Sequence, residues 1–105
     1  MANIIRIYKV DCTTEDRTDV LSLEELQKIV GGYVELFRAN NKLSIACDED
    51  GRFKGYYPCI TYNSDIRKVY FCGTIVVGKF TEDGMVPVSE ELIEQFELNS
   101  KWGWH

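Results

Sequence analysis

The chain has 105 residues, 45% of them hydrophobic and 28% charged, and its formal net charge is −5. We expect one domain over residues 1–105, with an aromatic tail at residues 99–105. The acidic balance disfavours binding of polymeric nucleic acid, since that affinity comes mainly from neutralised phosphates. No segment approaches the roughly 20 apolar residues of a membrane helix, and the N-terminus lacks signal-peptide features, so we expect a cytoplasmic protein without membrane contact.

The first elements in chain order are a strand and a loop. Residues 3–10 (NIIRIYKV) alternate in the manner of a β-strand. Residues 11–20 are polar and acidic without a period, which predicts a connecting loop.

A helix is predicted next, within residues 21–37. Ser22 is a favourable N-cap, and Glu25 three residues later completes a capping box. Leu21 and Leu26 can then form the hydrophobic staple before the helix ends at Gly31-Gly32. The spacing of the apolar residues predicts a buried face made of Leu23, Leu26, Ile29 and Val30.

Further strands and a second helix follow. β-branched and aromatic residues predict strands at residues 33–38, 43–47, 66–71 and 74–80. Asp48–Gly51 contains a fragment of a calcium loop without its closing glutamate, so a turn is the better interpretation, and residues 81–84 predict another turn. Residues 52–65 are irregular and contain Pro58, which indicates a loop or an edge strand. The second helix begins at Ser89, with a buried stripe of Leu92, Ile93 and Phe96.

Together these elements predict an α+β fold, a mostly antiparallel sheet of about five strands covered by two helices. The four cysteines lie singly along the chain, which is typical of small hydrophobic residues in a reducing compartment. A zinc site is disfavoured because both the ligand spacing and the histidine partners are missing. We therefore expect neither a metal nor a cofactor.

The sequence favours a protein without catalytic activity. The single histidine is His105, the terminal residue, which leaves Ser-His and Cys-His pairs without a well-placed base. A phosphate loop of the Gly-x-x-x-x-Gly-Lys-Ser/Thr type is absent. Adjacent carboxylates occur only at helix starts and turns, where solvated side chains are the better interpretation.

The middle of the chain favours binding instead. From Arg52 to Lys79 there are five basic residues and one acidic residue, a net charge of +4 that leaves −9 for the rest. Tyrosine and phenylalanine rings interleaved with cations can stack a base and neutralise a phosphate. The candidate ligand-binding residues are Arg52, Lys54, Tyr56, Tyr57, Arg67 and Lys68. The alternative is structural, since aromatic residues on strands usually face the core, as Tyr70 and Phe71 would on opposite sides of one strand.

The tail is a separate candidate surface. Trp102 and Trp104 lie within the last four residues, and indoles are enriched in interface hot spots. These two residues predict docking of the tail onto the domain itself or onto a second subunit.

Three patterns in order resemble a family of small domains of unassigned function that is common in bacteriophages and mobile elements. They are Leu26-Gln27-x-x-Val30-Gly31-Gly32-Tyr33-x-Glu35, Asp48-Glu49-x-Gly51-x-x-x-Gly55-x-x-Pro58 and Gly73-Thr74-x-x-Val77-Gly78. In that family Asn-Arg usually follows the Gly-x-x-Pro segment, whereas Cys59-Ile60 follows Pro58 here, so any role of that amide or guanidinium is absent or has moved, for example to Arg67 or Lys68. The resemblance implies a phage or mobile-element accessory protein and no agreed activity.

In size and build the chain is also similar to phage anti-defence sponges that sequester cyclic nucleotides or ADP-ribose-derived immune signals, an analogy without a shared motif. The leading hypothesis is thus a non-enzymatic, homo-oligomeric protein that binds a small phosphate-bearing nucleotide signal. The alternative is a protein-binding inhibitor or adaptor that acts on a host protein through acidic helices and the tryptophan tail. A third hypothesis, a hydrolase, requires turnover of the nucleotide.

Overall fold

The computed structural model describes residues 3–51, 59–64 and 67–103. Ten strands and two helices lie in this part of the chain. In order they are β1 (Asn3–Tyr8), β2 (Thr14–Arg17), α1 (Leu23–Val30), β3 (Val34–Arg38), β4 (Ser44–Asp48), β5 (Cys59–Asn63), β6 (Lys68–Cys72), β7 (Ile75–Thr81), β8 (Gly84–Val86), β9 (Val88–Ser89), α2 (Glu90–Leu98) and β10 (Ser100–Gly103).

The strands form two sheets, and every pairing between the described strands is antiparallel. The larger sheet has seven strands, in the order β2-β1-β7-β4-β3 with β8 added to β7 and β9 to β1. The smaller sheet has the order β10-β5-β6. The α+β class and the mostly antiparallel pairing are therefore confirmed, whereas a single sheet of about five strands is wrong. The additional strands are short and lie in polar, turn-rich or terminal segments that lack a clear alternation.

The larger sheet is buried on both faces. Alternate residues of β1 point to opposite sides, with Ile5 and Ile7 in one apolar cluster and Ile4 and Tyr8 in the other. The first cluster contains Leu26 and Val30 of α1, and the second contains Ile93 and Phe96 of α2 together with Ile60, Tyr62 and Phe71 of the smaller sheet. The helices thus cover opposite faces, and the smaller sheet packs on the α2 side.

Helix α1 begins and ends as its sequence predicts. The Ser22 hydroxyl accepts a hydrogen bond from the Glu25 N–H at 3.2 Å, and the Glu25 carboxylate accepts one from the Ser22 N–H at 3.3 Å. Gly31 closes the helix in the left-handed conformation, with φ 84°. Leu23 departs from the predicted buried face, since it is 48% exposed. Side chains tilt toward the helix N-terminus, so a leucine at the first helical position extends beyond the packed surface.

Helix α2 also forms where it is predicted, although its N-cap, Ser89, makes no side-chain capping hydrogen bond. Ile93 and Phe96 are buried and Leu92 is half-buried. After the helix the chain continues as a strand, because β10 pairs with β5 and places the backbone of Trp102 opposite Ile60. None of the described helices is long and apolar enough to cross a membrane.

The cysteines differ from one another. Cys47 is a buried thiol outside any disulfide, which fits the prediction of a small hydrophobic residue, and Cys12 is an exposed thiol. Cys72 is disulfide-bonded, so the prediction that the cysteines are reduced, small hydrophobic residues is wrong for this position. The sequence separates Cys72 from Cys59, but the β5–β6 ladder places these two positions opposite each other.

Candidate functional site

A cleft of about 180 Å³ lies between the two sheets. One wall comes from β3, β4 and the turn after β4, and it presents Glu35, Phe37, Asp48 and Glu49. The opposite wall is formed by residues 67–72, which enter and build β6. The cleft is therefore a product of the packing of the smaller sheet against one edge of the larger one.

The β3–β4 hairpin and its following turn fix the first wall. Glu35 and Phe37 are alternate residues of β3 and share one face of the strand. After β4 the Gly51 N–H donates to the Asp48 carbonyl at 3.1 Å, and the Asp50 N–H donates to Asp48 Oδ1 at 2.9 Å. These bonds confirm a turn at Asp48–Gly51.

The end of the β5–β6 hairpin fixes Arg67. The Ser64 hydroxyl accepts from the Arg67 N–H at 3.0 Å and donates to the Arg67 carbonyl at 2.6 Å. The Arg67 guanidinium lies over the Phe37 ring, with its carbon 5.9 Å from the ring centroid, which is within cation–π range. This contact positions an exposed cation at the cleft.

Aromatic rings line the same region. Phe37 lies 5.7 Å from Phe71 and 6.3 Å from Tyr62, both in edge-to-face orientations. Phe71 is buried and belongs to the core, whereas Tyr70 is 47% exposed. The prediction that these neighbours lie on opposite sides of one strand is confirmed.

The charges of the cleft are mixed rather than uniformly basic. Arg67 and Lys68 are exposed residues of one wall, and the acidic residues Glu35, Asp48 and Glu49 belong to the other. Asp48 is 5% exposed. The cleft can therefore pair an anion on the β6 side and accept hydrogen bonds on the β3–β4 side.

Of the predicted ligand-binding residues, the structure brings Arg67 and Lys68 together in this cleft. Arg52, Lys54, Tyr56 and Tyr57 lie outside the described residues, as does Trp104, and Trp102 is described by its backbone alone. Their roles stay predictions.

The sequence interpretation missed Phe37, Tyr70 and the three carboxylates as site residues. A partial indication was present, because Glu35 lies in the first of the three quoted patterns and Asp48-Glu49 opens the second. Nothing in the sequence, however, shows that β3 and β6 share a cleft.

A second polar cluster lies away from the cleft and joins β1, β2 and α2. Arg6 makes two hydrogen bonds to the Asp16 carboxylate, at 2.7 and 3.0 Å, and Tyr8 donates to Glu97 Oε2 at 3.0 Å. The Arg6 hydrogen bond lowers the pKa of Asp16, and burial raises the pKa of Tyr8 above its ordinary value. Arg6 Nη1 also lies 3.4 Å from Glu97. We interpret this cluster as structural.

The architecture defines a small α+β domain with a mixed-charge cleft between two antiparallel sheets. The chain belongs to the family described as a domain of unknown function (DUF3846), whose model matches residues 5–100. A domain family of unassigned function is therefore confirmed. No curated protein and no solved structure matches the chain.

Proposed function

We propose that the inter-sheet cleft binds a small phosphate-bearing, nucleotide-derived ligand and that the protein sequesters this ligand without turning it over. The observation that carries the proposal is the Arg67 guanidinium, which lies 5.9 Å from the Phe37 ring centroid in a cleft that Lys68 and Tyr70 also line.

Each wall has its own part in this proposal. Arg67 and Lys68 pair with phosphate oxygens, because charge-assisted hydrogen bonds are the strong ones at such sites. The exposed part of the Tyr70 ring offers a surface on which a base can stack. Glu35 and Glu49 accept hydrogen bonds from exocyclic amino groups of the base or from ribose hydroxyls, and their charge keeps the phosphate on the β6 side.

The size of the cleft limits how much of the ligand it holds. Its volume of about 180 Å³ is below the range of about 300–1,000 Å³ that is usual for a whole drug-sized ligand. We therefore expect the cleft to hold one base or one phosphorylated ribose, with the remainder of the ligand outside. Arg52, Lys54, Tyr56 and Tyr57 lie outside the described residues, and they stay the sequence-predicted candidates for binding that remainder.

The biological role that we propose is an anti-defence sponge, a phage-type protein in the host cytoplasm that withdraws a cyclic nucleotide or an ADP-ribose-like immune signal. Its support is the resemblance of the sequence to phage and mobile-element domains and the combination of stacking and charged groups in the cleft. Arg67 and Lys68 are the residues on which the proposal depends most.

The test is a thermal-shift screen of the purified chain against cyclic di- and trinucleotides and ADP-ribose derivatives, followed by chromatography of each hit. A ligand at 100 times its dissociation constant adds about 2.7 kcal/mol of stability. A shift with the ligand recovered intact supports sequestration. Conversion of the ligand would make the protein an enzyme, and the absence of any shift would overturn nucleotide binding.

A second candidate is a protein-binding inhibitor or adaptor that uses α2 and the tail. Leu98 at the end of α2 is 85% exposed, and it lies beside exposed Glu94 and immediately before the tail strand β10. An exposed leucine with an acidic rim suits a partner that has an apolar pocket and basic edges. Because β10 is part of the smaller sheet, truncation would remove a structural strand. Leu98→Ala is therefore the cleaner variant, and it should abolish capture of a host protein while nucleotide-induced shifts persist.

A further inference from the structure

We propose that two copies of this chain pair through β3 and form one continuous antiparallel sheet, with Leu36 opposite Leu36 of the second copy. This proposal concerns the outer edge of the larger sheet, and it does not depend on a ligand in the cleft.

The hydrogen-bond pattern shows which backbone groups of β3 face outward. The Glu49 N–H donates to the Tyr33 carbonyl and the Ala39 N–H donates to the Leu43 carbonyl. Hydrogen-bonded and non-hydrogen-bonded pairs alternate along an antiparallel ladder, so residues 35 and 37 bond to β4. The N–H and C=O groups of Val34, Leu36 and Arg38 then point away from β4, and no described strand pairs with them.

The two outer edges of the larger sheet differ in their chemistry. Edge strand β2 has the sequence TEDR, and its charged side chains are engaged in ion pairs that include Lys9–Glu15 at 2.9 Å and Arg6–Asp16 at 2.7 Å. Charged residues of this kind protect an edge from pairing with another chain. β3 has the sequence VELFR, so three of its five side chains are apolar. β3 is thus the edge that is suited to a partner.

A second copy fits this edge because the strand is self-complementary in one register. A two-fold axis perpendicular to the sheet puts the same face of both copies on the same side of the joined sheet. Residues that lie opposite each other in an antiparallel ladder must both direct their backbone groups toward the partner or both away from it. The axis therefore passes beside one residue, which lies opposite its own copy. A ladder centred on Glu35 would place two carboxylates opposite each other, which is unfavourable. In a ladder centred on Leu36, the outward backbone groups of Val34, Leu36 and Arg38 all find partners within β3 of the second copy. A ladder centred on Phe37 would leave the outward groups of Val34 without a partner in that strand.

The side chains agree with the register centred on Leu36. It places Glu35 opposite Phe37 of the second copy, at a close non-hydrogen-bonded pair, and the Arg67 guanidinium already lies over the Phe37 ring. The second copy's carboxylate thus meets a cation whose guanidinium has five N–H donors, so donors remain for a phosphate in the cleft. Tyr33, which is 72% exposed, comes opposite Ala39 and covers apolar surface that the single chain leaves in water.

Amide hydrogen exchange of the native chain, measured by NMR at high protein concentration, tests the proposal with an internal control. Residues 35 and 37 bond to β4 in any case, so their amides report the stability of the hairpin. The proposal predicts that the amides of Val34, Leu36 and Arg38 exchange as slowly as those of residues 35 and 37 at high protein concentration. On dilution the dimer dissociates, and these three amides should then exchange faster. If they exchange like unprotected amides at high concentration, the proposal is overturned.

A matched pair of variants tests the same edge by mass. Arg38→Pro removes one outward N–H, and proline is tolerated at such edge positions, whereas Arg38→Ala removes only the exposed side chain. By light scattering we expect the native chain and Arg38→Ala at twice the 12.1 kDa of one chain, and folded Arg38→Pro at 12.1 kDa. A monomeric native chain, or a folded Arg38→Pro dimer, would contradict the proposal. If Arg38→Pro does not fold, the amide exchange of the native chain decides alone.

Discussion

At the scale of single residues, Gly51 ends the turn after β4 and packs closely against the end of β6. A Cβ at this position would collide with the backbone carbonyl oxygen of Cys72, which is on the opposite wall. We expect Gly51→Ala to push the turn away from β6 and to cost about 1–3 kcal/mol of unfolding free energy, as overpacking does.

Urea denaturation measures this cost, and Asp50→Ala is the matched control. The Asp50 side chain is exposed on the same turn, and replacement of an exposed side chain usually changes stability by less than about 0.5 kcal/mol. Equal stability of the two variants would show that the turn does not press against β6.

Tyr8 gives a prediction about alkaline pH. Its ring is buried beside Phe96, with centroids 5.6 Å apart, and its hydroxyl donates to Glu97. Burial raises its pKa above the ordinary value of 10.0, so the unfolded chain loses this proton at lower pH than the folded chain. The free energy of unfolding should therefore fall as the pH rises above about 10.

The variant Tyr8→Phe keeps the ring and removes the hydroxyl. We expect it to cost about 1 kcal/mol at neutral pH and to show a shallower decline above pH 10 than the native chain. Denaturation curves at pH 8 to 11 measure both effects, and parallel decline of the two proteins would refute the assignment.

At the scale of secondary-structure elements, the two helices differ in how they begin. Ser22 caps α1 through its side chain, whereas Ser89 makes no such bond at α2. Ser22→Ala should therefore destabilise the domain by about 1 kcal/mol, and Ser89→Ala should have little effect. Thermal unfolding of the two variants provides the comparison, and an equal loss from both would contradict the capping account.

The same scale shows what the sequence could and could not predict. The start and end of α1 were predictable because Ser22, Glu25 and Gly31 act through neighbours in the chain. Strands β2, β8, β9 and β10 were not, because each is defined by a partner strand rather than by its own alternation. The polar β2 is a strand because it pairs with β1, where Arg17 lies opposite Ile5 and Thr14 opposite Tyr8.

At the scale of the whole molecule, both apolar clusters share the strands of the larger sheet. Ile5 and Ile7 belong to one cluster and Ile4 and Tyr8 to the other, so loss of β1 would expose both. We expect one cooperative unfolding transition for residues 1–105 as a single domain. Far-UV and near-UV circular dichroism should report the same midpoint, and two separated midpoints would indicate two independent units.

The cleft also belongs to this scale. Arg67 and Lys68 are candidates from cations interleaved with aromatic residues in the sequence, and both line the cleft. Glu35, Phe37 and Glu49, by contrast, come from the wall of the larger sheet. Their position opposite β6 depends on how the two sheets pack, and neither periodicity nor motif spacing encodes that relation.

The most direct test of the central claim is isothermal titration calorimetry of the strongest nucleotide hit with the native chain and with Arg67→Ala. Lys79→Ala is the control, since Lys79 is an exposed cation outside the cleft. We expect Arg67→Ala to weaken binding at least tenfold, which corresponds to about 1.4 kcal/mol, and Lys79→Ala to bind like the native chain. Equal dissociation constants for the native chain and Arg67→Ala would contradict binding in the cleft.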